Sequence, residues 1–137
     1  MGQQQLLLVI LGVIIVGIAI AIGITIFQDN AVEQNRSSLI ADLTTLATKA
    51  QLYYFKPVSL GGGGSSFVGL TADANGIGIL ASPSFTNNSN GTYTIKTAGT
   101  ATTVVLHGVG KISMSDGTFP SYDVLVNSQT QTPTKLN

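Results

Sequence analysis

The sequence predicts an α+β fold. A long N-terminal helix protrudes through its apolar first half, and its amphipathic second half packs on a small antiparallel β-sheet. Three observations predict this. Residues Leu6 to Phe27, LLLVILGVIIVGIAIAIGITIF, form 22 consecutive residues without a charge, with Thr25 the one polar side chain. From Gln28 to Phe55 neither Gly nor Pro interrupts a helical stripe of apolar residues. The C-terminal third alternates apolar and polar residues between glycine-containing turns, the period of strands.

The apolar run would be about 33 Å long as a helix, enough to cross a ~30 Å hydrocarbon core. It is apolar all round, so lipid or other copies of the same helix must surround it. Residues 1–27 carry no ionisable side chain, and all 6 basic and 6 acidic residues lie in 28–137. The chain therefore divides into an apolar helix half, 1–27, and a globular head, 28–137. The head comprises an amphipathic helix 28–55, a Gly-rich loop 56–91, an antiparallel sheet 92–127 and a C-terminal tail 128–137. A signal peptide fits the start poorly. The flank Met1-Gly2-Gln3-Gln4-Gln5 has no Lys or Arg, and the run exceeds the usual ~7–15 residues. Gly12, Gly17 and Gly23 would let neighbouring helices approach closely. They also mark places where the helix could locally unwind.

In the second half, Val32, Leu39, Leu43, Leu46, Ala50 and Tyr53 recur at spacings of 7, 4, 3, 4 and 3, a single stripe. Glu33, Asn35, Arg36, Asp42, Lys49 and Gln51 are expected on the other sides. Lys56-Pro57 ends the helix, because a residue before proline disfavours helical backbone. One helix of about 50 residues would be near 75 Å long. A head of this size is only ~30 Å across, so the N-terminal half must protrude.

Gly61 to Gly64 reads as a flexible run, with short strands at Phe67, Val68 and Leu70 and at Ile77, Ile79 and Leu80. Thr86 to Gly91 is a turn cluster. Gly99-Thr100 reads as a two-residue hairpin turn between Thr92–Ala98 and Ala101–His107. That register sets Ile95 opposite Val104 and Tyr93 opposite Leu106, with Lys96 and Thr103 on the other face. These four apolar residues are expected to pack on Leu39, Leu43, Leu46, Ala50 and Tyr53. A second hairpin would run from Lys111–Ser115 through Asp116-Gly117 to Phe119–Asn127, with Tyr122, Val124 and Val126 on one face. The polar tail Ser128–Asn137 would fray or lie on a neighbour.

The formal net charge is zero, only 9% of residues are charged and there is no basic patch, which argues against nucleic acid as a partner. Absence of cysteine excludes disulfides, c-type haem and thiol catalysis. His107, the one histidine, has no carboxylate nearby in sequence and reads as an ordinary sheet residue. Asp73-Ala74-Asn75-Gly76 reads as a turn, since it lacks the later glutamate of a calcium loop. Gly61–Gly64 lacks the Lys-Ser/Thr of a phosphate loop. Asn35-Arg36-Ser37, Asn87-Asn88-Ser89 and Asn90-Gly91-Thr92 match the N-glycosylation sequon. No cofactor, metal or enzymatic activity is expected.

An N-terminal apolar helix, extended by an amphipathic half and followed by a Gly-rich loop and antiparallel sheet, resembles a type IV pilin. The architectural resemblance covers nearly the whole chain, and the motif-level resemblance covers about residues 1–27. It implies a single-pass membrane precursor, cut after a glycine by a prepilin peptidase and methylated on its new N-terminus. Met1, Gly2 and Gln3 are then the processing positions. Either Met1 is already the mature start, or Met1-Gly2 is the leader and Gln3 follows it. The resemblance further implies assembly by pilus machinery into a cell-surface filament whose partner is the chain itself. Leu6, Leu7, Leu8, Ile10, Leu11, Ile14, Ile15, Ile18, Ile22 and Phe27 would form the bundled core, and the heads the outer wall. This sequence departs from the family in having no basic leader. It has Gln5 where pilins usually carry glutamate, in the register that starts at Met1, and no proline in the apolar half, so Gly17 or Gly23 would serve as the melting point. The alternatives are a pseudopilin of a secretion system and a monomeric binding or adhesion domain on a single-helix anchor. A helix that runs without a linker from anchor to head favours a pilin over the tethered domain.

Overall fold

The structure, a computed structural model, describes residues 2–137, so Met1 lies outside the described residues. Helix α1 (Gly2–Phe55) is one α-helix of 54 residues, unbroken through Gly17 and Gly23. At 1.5 Å per residue it is about 80 Å long. A 3-10 turn (Val58–Leu60) and helices α2 (Ala74–Leu80) and α3 (Pro83–Thr86) lead into four strands. These are β1 (Gly91–Thr97), β2 (Thr103–Gly110), β3 (Ser121–Asn127) and β4 (Gln131–Lys135). They form an antiparallel meander in the order β1-β2-β3-β4. The amphipathic half of α1 lies across this sheet while the apolar half protrudes, an α+β pilin-like architecture.

The core is the helix–sheet interface. Leu39, Leu43, Leu46, Ala47 and Ala50 of α1 meet Tyr93, Ile95, Val104, Leu106, Tyr122, Val124 and Val126 of the sheet. Strand alternation aims these residues inward. Phe67, Leu70, Ile77 and Leu80 close one side. Gly108 lets the helix approach β2. A Cβ there would lie 3.0 Å from Tyr93 Cδ1 and 3.1 Å from Leu43 Cδ1. Gly110 likewise faces the Asn35 side chain and Pro120.

Several sequence expectations are corrected. The segment 56–91 is not one loop. Ile77, Ile79 and Leu80 belong to α2, started by the Asp73 side chain, which accepts from the Asn75 and Gly76 amides at 3.0 Å. Phe67, Val68 and Leu70 form no strand, and the main chain at Phe67 and Leu70 bonds instead to Thr100 and Gly99. The Gly61–Gly64 run caps α1: the Gly63, Gly64 and Ser65 amides donate to the Tyr53, Lys56 and Tyr54 carbonyls. Gly99-Thr100 is not a two-residue turn. Strand β1 pairs Ile95 with Leu106 and Tyr93 with Gly108, two residues away from the expected register. A shift of two preserves the faces, so the same side chains still point inward. Gly99 is required because Phe67 O occupies the place of its Cβ. Lys111–Ser115 forms no strand, and the second hairpin turns through 111–120. The tail is no frayed arm. Its Gln131–Lys135 pairs with β3 as an edge strand, so the sheet spans 91–135 rather than 92–127.

Candidate functional site: the exposed length of α1

Every residue of the apolar half from Gly2 to Phe27 is exposed. The expected bundling residues Leu6, Leu7, Leu8, Ile10, Leu11, Ile14, Ile15, Ile18, Ile22 and Phe27 touch nothing that would hide them, and Phe27 is 77% exposed. Gly12, Gly17 and Gly23 have open space where a Cβ would stand. The Thr25 hydroxyl donates to the Ala21 carbonyl at 3.1 Å, so the run offers no free polar hydrogen to its surroundings. This surface far exceeds the few hundred Å² of contiguous apolar patch that a soluble monomer tolerates. Of the processing positions, Gly2 and Gln3 are exposed in the first turn of α1.

The head begins with an exposed polar turn, Asp29, Asn30, Glu33 and Gln34, and beyond it the uncharged character returns. Between Ser37 and Phe55 the exposed residues of α1 are Ser37, Ile40, Ala41, Thr44, Thr45, Thr48, Leu52 and Phe55, and none carries a charge. Their hydroxyls are spent on their own helix. Thr44, Thr45 and Thr48 donate to the carbonyls of Ile40, Ala41 and Thr44 at 2.8, 3.0 and 2.9 Å. Ser37 does the same to Glu33 at 3.2 Å. The ridge therefore presents methyl groups outward, as the apolar half does on the other side of that polar turn. Asp29 and Glu33 are the only exposed charged side chains on α1 among the described residues.

The polar residues expected on the free sides of α1 in part do something else: they clamp the head. Asp42 Oδ2 accepts from Asn88 and Asn90 at 3.0 Å each and from Tyr93 Oη at 2.7 Å. Burial pushes the Asp42 carboxyl up, but these three donors outweigh it and hold it below the ordinary value of 3.8. The same burial and the Asp42 charge push the Tyr93 phenol up. Asn35 and Arg36, contrary to expectation, are buried. They occupy the turn that the seven-residue gap between Val32 and Leu39 leaves open. Asn35 donates to Asn90 O at 2.7 Å, while its own Oδ1 is buried without a partner. Arg36 donates to the Asn137 main-chain oxygen and lies 3.0 Å from Met114 Sδ. Gln51 donates to Asn127 O at 3.0 Å and accepts from Gln131 at 3.0 Å.

Among the packing residues, Leu39, Leu43, Leu46, Ala50, Tyr93, Ile95, Val104 and Leu106 share one cluster. Tyr53 packs at its edge and donates to Val68 O at 3.1 Å, so it serves the capping loop rather than the sheet. On the outer face of the sheet, His107 stands directly opposite Asp123, with Nδ1 at 2.6 Å from Oδ1, and Lys96 pairs with the other carboxylate oxygen. Burial raises the Asp123 carboxyl, but Lys96 and His107 together hold it below its ordinary value. Sequence reasoning missed this trio because it depends on pairing across three strands. No group of three metal-ligating side chains occurs among the described residues. No family model matches the chain, and neither a curated protein nor a solved structure is significantly similar to it.

Proposed function

We propose that this chain is a structural subunit of an extracellular, type IV pilus-like filament, held in the membrane by α1 before assembly. The observation that carries the reading is the uncharged outer surface of α1, which covers the protruding half and, beyond Asp29 and Glu33, resumes from Ser37 to Phe55 along the back of the head. A helix built only to anchor a tethered domain needs about 20 apolar residues and then a solvated linker. Here the helix enters the head without a break, and from Ser37 onward its exposed side carries no charge and satisfies its hydroxyls internally. That surface suits contact with other copies of α1 along most of its length. In a bundle each copy would bury its apolar half at about 25 cal/mol per Å². In lipid the same half is equally at home, as a subunit that moves from membrane to polymer requires. A pseudopilin would use the same surface in a short filament.

The test is one charge in the protruding half. Ile15→Asp or Ile18→Asp should abolish filaments, because an unpaired charge in an apolar bundle costs several kcal/mol. Filaments of normal yield from both variants would refute the buried placement.

A further inference from the structure

The distal end of α1 carries a groove of about 210 Å³ lined by Lys49, Leu52, Tyr53, Lys56, Ile79 and Leu80. Leu52 and Ile79 are exposed there. Neither lysine has a carboxylate within 4.0 Å among the described residues, and Lys49 lies instead 4.9 Å above the Phe85 ring. At the opposite end of the head stand Asp29 and Glu33, the two exposed charges of α1 among the described residues. Asp29 makes no ion pair, and Glu33 reaches only Arg36 Nε at 3.8 Å with its side chain 76% exposed. Lys135 lines the same cleft but comes within 4.0 Å of neither acid. Just below them Ile22 and Ile26, at helical spacing from Asp29, are exposed.

We infer that this groove receives the Ile22–Glu33 segment of a second copy of this chain, with Asp29 and Glu33 of one copy paired to Lys49 and Lys56 of the next. The inference rests on the filament reading above and names the contact between heads. The two ends match in chemistry: acids and exposed isoleucines on one, lysines and exposed Leu52 and Ile79 on the other. They also match in spacing. Lys49 lies 20 residues beyond Asp29, and Lys56 lies 23 beyond Glu33. Both steps correspond to about 30–35 Å along the helix, so a single axial offset between parallel copies satisfies both pairs. At about 100° per residue, the acids and lysines lie roughly 140–160° apart around the axis. One copy therefore presents its acids outward on one side and its lysines on nearly the other. Such a contact joins unlike surfaces and does not close on itself, so it propagates into a fibre. It also supplies a counter-charge to Asp29 and Glu33 when bundling removes them from water.

The chain has no cysteine, which makes the test direct. Filaments of the wild-type chain are treated with a zero-length carbodiimide and digested. Mass spectrometry should find peptides carrying Asp29 or Glu33 joined to peptides carrying Lys49 or Lys56, and the detergent-dispersed monomer should yield none. Oxidised filaments of the double variant Glu33→Cys, Lys56→Cys should give a ladder of dimer, trimer and higher species, while either single variant stays monomeric. Wild-type filaments lacking the joined peptides, together with double-variant filaments lacking the ladder, would overturn the contact and leave the filament reading standing. A wild-type chain that forms no filaments would overturn both.

Discussion

Leu43 and Gly108 face each other across the helix–sheet interface, and their fit predicts a measurable coupling. Leu43 is fully buried, so Leu43→Ala removes a core side chain and should destabilise the head by about 2–5 kcal/mol. Gly108→Ala errs the other way. Its new Cβ would lie 3.1 Å from Leu43 Cδ1 and 3.0 Å from Tyr93 Cδ1, several tenths of an ångström inside ordinary contact. Overpacking of that kind costs about 1–3 kcal/mol. In the double variant the added methyl enters space that Leu43 has vacated, so the Leu43 part of the clash disappears. The Tyr93 contact remains, so rescue is partial. The double variant should be more stable than the sum of the two losses by about 0.5–2 kcal/mol. Urea titrations of residues 28–137, followed by circular dichroism, measure all three differences. Strict additivity would mean that α1 does not sit over β2 at Gly108.

Asp42→Ala should cost about 1–3 kcal/mol in the same assay, because it strands the buried Tyr93 hydroxyl and two asparagine amides. Asp42 and Asp123 are both held below the ordinary carboxylate value of 3.8 in the folded state. Their contribution is therefore complete above that value and is lost as pH falls through the lower folded values. The urea midpoint should drop with acidification below about pH 4, and less steeply in Asp42→Asn; an unchanged pH profile in that variant would remove Asp42 from the account. Lys96→Ala should lose no more than about 1 kcal/mol, since Asp123 keeps His107 and the Lys96 side chain is half exposed. Intact mass of the filament subunit should show either N-methylated Met1 or a start at Gln3. A start beyond Phe27 would make the apolar run a removed signal and end the pilus reading.

Helix α1 was legible because its two signals are long. The uncharged run and the stripe from Val32 to Tyr53 extend over many turns, and Lys56-Pro57 marks the stop. The inward faces of β1, β2 and β3 were legible from alternation, which survives a register error of two. The register itself was not. Gly99 looks like a turn glycine, yet its purpose is close approach to Phe67 O, a contact from a segment about 30 residues away. The same blindness hid β4, whose polar sequence becomes a strand only because β3 offers an edge. It also hid α2, where Ile77, Ile79 and Leu80 suit a short strand until the Asp73 cap is seen. At the candidate site, the apolar half was plain in the sequence. The uncharged ridge from Ser37 to Phe55 was not, because only the packed structure shows that Asp42, Lys49 and Gln51 sit at its flanks and are half-buried.

Electron cryomicroscopy of sheared cell-surface material is the decisive experiment. Filaments are expected in which Leu6–Phe27 of every copy runs near the axis in a solvent-free bundle, with the sheets outside. The same chain found only as a monomer, with that helix surrounded by lipid or detergent and no polymer on the cell, would contradict the filament reading.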